Sequence, residues 1–140
     1  MNLSKNVKVT PVLAYAGATT GTVNGTEIDM QGFEGVMFVG GGFGTANAGN
    51  YYKVQQDTAT GMATAADLEG TKLAPGDNDD DICIDIYRPQ ERFVRIVKVI
   101  GSSSASDPVY AIQYGAKKAP TTNASTVDTE THVSPAEGTA

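Results

Sequence analysis

An all-β architecture, an antiparallel sandwich or jelly roll ending in an extended C-terminal arm, is predicted by three features of this 140-residue chain. Residues 81–100 hold two β-patterned runs around a polar break. Glycine is abundant, at 16 residues, and is scattered among Ala, Thr and Ser, as tight turns between short strands require. From Ala116 onward, large apolar residues almost vanish.

The segment 81–100 specifies its own shape most clearly. Ile82, Ile84 and Ile86 alternate with Asp81, Cys83, Asp85 and Tyr87, so one strand face is aliphatic and the other mainly polar. Arg88-Pro89-Gln90-Glu91 supplies a polar break with a fixed proline φ. Arg92 to Ile100 is rich in β-branched residues without helical spacing. Phe93, Val97 and Val99 share a face with Arg95, and Val94, Ile96 and Ile100 share the other with Lys98, as in a strand covered on both sides. The pattern predicts a β-hairpin here.

Along the rest of the chain, Val7 to Ala14 reads as a strand whose Pro11 favours an edge or a bulge. Gly17 to Gly21 reads as a turn, and Asn24-Gly25 as a hairpin turn. Gly32 to Val39 is a strand followed by the run Gly40-Gly41-Gly42; Tyr51 to Gln56 is another, with Tyr52 and Val54 inward. Ala63 to Leu68 reads as a helical turn too rich in Gly and Thr around it to extend, with Leu68 and Leu73 plugging the end of a sheet pair, and Pro75 to Asp80 as a loop. Gly101 to Asp107 reads as a Ser-rich loop and Pro108 to Gly115 as the last strand. The chain thus divides into a β domain, 1–115, and an arm, 116–140.

A chain of this length forms one domain, burying about 68% of the surface it exposes unfolded. The net charge of −6 argues against a nucleic-acid partner, which draws affinity from clustered Lys and Arg. No apolar run reaches the ~20 residues of a membrane span, so no membrane partner is expected. Met1 to Val9 lacks a signal-peptide apolar region, and the single cysteine, Cys83, cannot form an internal disulfide. These features predict a soluble domain made in a reducing cytoplasm.

No catalytic constellation, metal site or cofactor motif emerges. His132, the one histidine, lies in the arm, and Cys83 has no base nearby in sequence. Asp77, Asp79 and Asp81 match the first three ligand positions of an EF-hand loop. Ile82 then stands where the turn glycine belongs and Arg88 where a bidentate Glu belongs, so a solvated loop is the better reading. Gly40-Gly41-Gly42-Phe43-Gly44 lacks the Gly-Lys-Ser/Thr ending of a phosphate loop. Asn24-Gly-Thr and Asn123-Ala-Ser match the glycosylation sequon, taken as chance without a secretion signal.

The arm cannot fold alone, because it has too little apolar surface to offset an ordering cost of ~1–2 kcal/mol per residue. Pro120 and Pro135 bias it to extended geometry, Val127 and Val133 are its larger aliphatics, and Thr131, His132 and Val133 lie together near its end. These six residues are the expected contacts to a partner or a neighbouring subunit. A compact β body joined to such a segment points to an assembly protein rather than an enzyme.

Several ordered strings resemble small head proteins of tailed bacteriophages. They are Gln31-Gly-Phe-Glu-Gly-Val-Met-Phe-Val39, Lys53-Val-Gln-Gln56, Ala66-Asp-Leu-Glu-Gly-Thr71, Asp85-Ile-Tyr-Arg-Pro89, Ala111-Ile-Gln-Tyr-Gly115 and His132-Val-Ser-Pro-Ala-Glu-Gly138. The resemblance runs from about Lys5 to the end and implies a capsid cement (decoration) protein of the jelly-roll type. Such a protein would bind the major capsid protein on the outer surface of the virion and stabilise the mature capsid, without enzymatic activity. It would also form a homo-oligomer, a dimer ahead of a trimer because two-fold closure is commonest. The alternatives are a head–tail completion or tail-associated virion protein, present in fewer copies, and a carbohydrate-binding sandwich displayed on the particle. The last needs exposed aromatics on a concave face, and the chain has no Trp.

Overall fold

The computed structural model describes residues 2–134 and 136–139. Among them are a short 3-10 turn, Leu3–Lys5, and nine strands: β1 (Lys8–Leu13), β2 (Ala16–Asn24), β3 (Ile28–Asp29), β4 (Gly35–Gly40), β5 (Asn50–Asp57), β6 (Ala66–Asp67), β7 (Ile82–Tyr87), β8 (Phe93–Ser106) and β9 (Val109–Tyr114). One sheet has the order β1-β9-β4-β7; the other has the order β2-β8-β5-β6, with β3 also on β8. All pairings are antiparallel. The pairs β1–β9, β2–β8, β4–β7 and β5–β6 are nested in sequence, like one long hairpin rolled on itself. This wrapping is that of a jelly roll, and the predicted all-β sandwich is the observed fold.

The core lies between the sheets. From the first sheet come Val36, Phe38, Ile82, Ile84, Val109 and Ala111; from the second come Tyr52, Val54, Val94, Ile96 and Ile100, each at most 9% exposed. Phe43, in the loop after β4, stacks on Tyr52 with ring centroids 5.0 Å apart. Each Val, Ile or Phe side chain among them contributes roughly 1.5–3 kcal/mol by leaving water. The alternation read from 81–87 holds, with Ile82 and Ile84 buried, Ile86 half-buried, and Cys83, Asp85 and Tyr87 exposed. Pro11 sits on the edge strand β1 next to a bulge, and Tyr52 and Val54 point inward, as expected.

The expected hairpin at 81–100 is not formed: β7 pairs with β4 in one sheet, and β8 with β2, β3 and β5 in the other. Arg88 to Arg92 carry the chain across the sandwich instead. Five extended residues reach ~17 Å, and packed sheets lie ~10 Å apart. Both ends of the crossing are fastened, Arg88 N to Glu34 O at 2.8 Å and Met30 N to Arg92 O at 2.8 Å. Asn24-Gly25 is likewise not a hairpin turn. β2 and β3 follow one another along the same edge of β8, Asn24 opposite Val97 and Ile28 opposite Val94. Gly25 lies at the kink between them, where a Cβ would come within 2.8 Å of Ile96 O.

Three expected loops or turns also differ. Gly17 to Gly21 belongs to β2 and Gly101 to Ser106 to β8, which pair with each other through two bulges. Small residues with weak strand preference are held there by the main-chain ladder. The helical turn expected at Ala63–Leu68 is replaced by β6, where Asp67 accepts from Lys53 Nζ and Gln55 Nε2, both at 2.7 Å. The tip of the rolled hairpin, between β5 and β6, is organised by Asp57. Its carboxylate accepts from Ala59 N at 3.0 Å and Thr64 N at 2.8 Å, and these bonds hold it below the usual carboxylate range. Leu68 packs on the core, while Leu73 is 38% exposed and contributes through its main chain, paired with Tyr52.

After β9 the chain does not stand away as an extended arm. Lys117 N donates to Gly32 O at 2.9 Å, and the following residues turn back along β1.

Candidate functional site

The returning segment covers the outer edge of β1. Thr121 N donates to Lys5 O at 2.9 Å, and Thr121 Oγ1 donates to Val7 O. Val9 N donates to Asn123 Oδ1 at 2.7 Å, and Val9 O accepts from Ala124 N at 3.2 Å. Main-chain groups along a strand alternate sides, so Val7, Val9 and Pro11 share the outward parity. Both main-chain groups of Val9 have their partners in the tail, Val7 O accepts from Thr121 while Val7 N donates to Leu3 O at 3.1 Å, and Pro11 has no N–H to satisfy. The edge is thereby closed by the chain's own terminus.

Further along, Asn123 Nδ2 donates to Thr129 Oγ1 at 2.8 Å, and the hydroxyls of Ser4 and Thr131 are 2.7 Å apart. A groove of about 480 Å³ separates this segment from the N-terminal turn, bordered by Ser4, Lys5, Pro120 and Val127. The strap therefore holds by main-chain, Asn and Thr hydrogen bonds, with Val127 its half-buried aliphatic.

The six expected contact residues divide accordingly. Pro120 and Val127 border the groove, and Thr131 reaches Ser4. His132 is exposed, with Nε2 3.2 Å from Glu130 Oε2, and Val133 is 89% exposed. Pro135 lies outside the described residues. Thr121 and Asn123, which make the key contacts, were not among the six; a strand-edge contact through an amide side chain leaves no hydropathy signal. Asn123→Ala should release the strap without unfolding the body. The two side-chain hydrogen bonds of Asn123, to Val9 and Thr129, contribute about 0.5–1.5 kcal/mol each, so proteolysis within 117–131 should accelerate several-fold or more at an unchanged melting temperature. An unchanged cleavage rate would show that Asn123 does not hold the strap.

A second concavity, about 610 Å³, opens at the crossing segment and is bordered by Phe33, Glu34, Arg88, Arg92 and Lys117. Its arginines are already engaged. Arg92 makes a bidentate pair with Asp29, 2.8 and 2.6 Å, and Arg88 lies 3.5 Å from Glu34. The Arg92 hydrogen bond holds the Asp29 carboxyl below the usual range, and Asp29 raises Arg92 in return.

The acidic loop and the glycine run fit one another. Asp81 Oδ1 accepts from Gly42 N at 3.3 Å, Asn78 Oδ1 from Ala46 N at 2.7 Å, and Asp79 N donates to Phe43 O at 2.8 Å. A Cβ on Gly42 would lie 2.9 Å from Asp79 O, so the glycine lets the two loops meet backbone to backbone. Among the described residues no group of three or more His, Cys, Asp or Glu side chains is placed to hold a metal ion. Cys83 is exposed on β7, and His132 is paired with Glu130 in the tail. No described helix is long and apolar enough to cross a membrane.

Family models give no match to this chain, and neither do curated proteins.

Proposed function

We propose that this protein is a structural component of a phage virion, a cement protein that binds the outer surface of the head across interfaces of the major capsid protein. The reading rests on the ordered strings described above, which run through most of the chain. The jelly-roll body with its edge-lying terminal strap supports it. A rigid two-sheet body touching two capsid subunits resists their separation under the pressure of packaged DNA. Linkage of weak contacts raises avidity by ~10²–10⁴ without any new contact. The strap adds a second mode, because main-chain bonds made to β1 can equally be made to a strand edge of a neighbour. The acidic charge keeps the free protein away from nucleic acid before assembly.

Heads lacking this protein provide the test. Added protein should bind them to a fixed limit and raise the temperature at which they release DNA; absence of saturable binding would overturn the reading. Removing Thr131 to Ala140 should leave the melting temperature of the free protein nearly unchanged while lowering retention on washed heads. Full retention would assign the binding to the β body alone.

A further inference from the structure

The four outer edges of the two sheets are treated differently. β1 is covered by the strap, β6 is two residues long, and β7 carries Asp85 beside the preceding Asp81, charges of the kind that blunt strand edges. β2 has none of these three protections, although two bulges interrupt its pairing with β8 between Ala16 and Gly21. It is nine residues long, contains neither proline nor charge, and beyond Ala16 is exposed at every position. The whole stretch 9–26 carries no charged side chain in a chain of net charge −6.

Its free main chain follows from the register. Gly25 N donates to Ile96 O at 2.8 Å, and with Gly21 opposite Ile100 this places Val23 and Gly21 in hydrogen-bonded pairs with β8. Thr22 and Asn24 therefore aim N–H and C=O away from the sheet. The edge closes only at Thr26, whose N–H donates to Val12 O at 3.0 Å. Beside that point lies an apolar cleft of about 450 Å³ bordered by Pro11, Val12, Leu13, Tyr15 and Tyr110. Tyr15 is 63% exposed and Val23 44%.

We infer that β2 is the seam through which two copies of this chain pair, antiparallel edge to edge, joining their second sheets across a two-fold axis. A strand edge specifies an extended strand as its occupant, and the two-fold operation specifies which one. Laid antiparallel over the full length of β2, a second β2 brings its Ala16 opposite Asn24. Its Tyr15 then arrives at the Thr26 end, where the apolar cleft opens. Two chains of like net charge also meet there without facing charges, since 9–26 has none. This deepens the cement-protein reading by assigning its self-contact.

The test is light scattering of the purified full chain over a concentration series, with two variants. Thr22→Pro deletes an N–H that the monomer does not use, and Thr22→Lys sets like charges across the seam. The unaltered protein should be a dimer, and both variants should weaken dimerisation by about ten-fold or more, with the body still folded. A protein monomeric at every concentration, or a dimer untouched by both substitutions, overturns the inference. If a variant fails to fold, amide exchange in the unaltered protein decides. Thr22 and Asn24 should gain protection as concentration rises, and concentration-independent exchange there overturns the seam. A β2 dimer that does not bind heads would leave this inference standing and remove the capsid reading; a head-bound monomer would do the reverse.

Discussion

Phe38→Ala is expected to cost about 3–5 kcal/mol, lowering the thermal midpoint by on the order of 10 °C. Phe38 is fully buried on β4, one strand in from the β7 edge, with Ile84 and Ala111 opposite it on either side. Ala111 is too small to collapse into the vacated space, and the interior strand cannot shift without moving β9 and β7 together. Ile84→Ala, on the edge strand β7, should cost less, toward the lower end of about 2–5 kcal/mol, because β7 has a neighbour on one side only. Urea unfolding checks both, with unchanged slopes and displaced midpoints. Equal midpoints for Phe38→Ala and the unaltered protein would remove Phe38 from the core.

Lys98→Met should act in the opposite direction and stabilise the fold by about 1–4 kcal/mol. Lys98 is 2% exposed, on the strand face that carries Val94, Ile96 and Ile100, and its Nζ donates to Ser106 Oγ at 2.7 Å. Burial lowers its pKa below the ordinary lysine value. The folded state therefore releases this proton at a lower pH than the unfolded chain does. Between the lowered value and the ordinary one, ~10.4, the unfolded state binds more protons, so stability of the unaltered protein rises with pH. Below that window the burial penalty is present in full. Unfolding free energies measured from neutral pH to pH 10 should converge on those of Lys98→Met, and parallel profiles would reject the assignment. Losing the donor to Ser106 offsets part of the gain, which Ser106→Ala in the same chain should restore.

Faces of strands were legible in the sequence, and neighbours of strands were not. Period-two alternation at Ile82, Ile84 and Ile86, or at Tyr52 and Val54, states which side is covered. It is silent on whether β7 lies beside β8 or across the core from it, and so the crossing at Arg88–Arg92 resembled a hairpin. Gly17–Gly21 and Gly101–Ser106 resembled loops because small residues carry little strand preference of their own. They become strands because each finds the other. Lys98 was correctly placed on an apolar face, but its side-chain partner, Ser106, was read as part of a loop, and the Nζ–Ser106 Oγ bond at 2.7 Å exists because that stretch continues β8. The strap illustrates the remaining gap: hydropathy showed that 116–140 lacks a core, while its hydrogen bonds to Lys5, Val7 and Val9 come from main-chain groups and from the side chains of Thr121 and Asn123, which leave no hydropathy signal.

The nested pairing also sets an order in time. Gln55 and Asp67 of β5 and β6 meet across a short interval of chain, whereas Val36 waits for Ile86 and Val9 for Ile112. Loop-closure entropy grows by only about 0.6 kcal/mol for each doubling of the loop, so the outer pairs are affordable at equilibrium. On the ribosome the constraint is sequence rather than entropy. β9 fills the slot between β1 and β4, so the first sheet cannot be completed until Tyr114 has emerged. At ~5–20 residues per second the nascent chain spends several seconds with β1 and β4 lacking a common neighbour. Ribosome-bound chains ending before β9 should thus remain open to protease, and resistance should appear in one step once that strand is free.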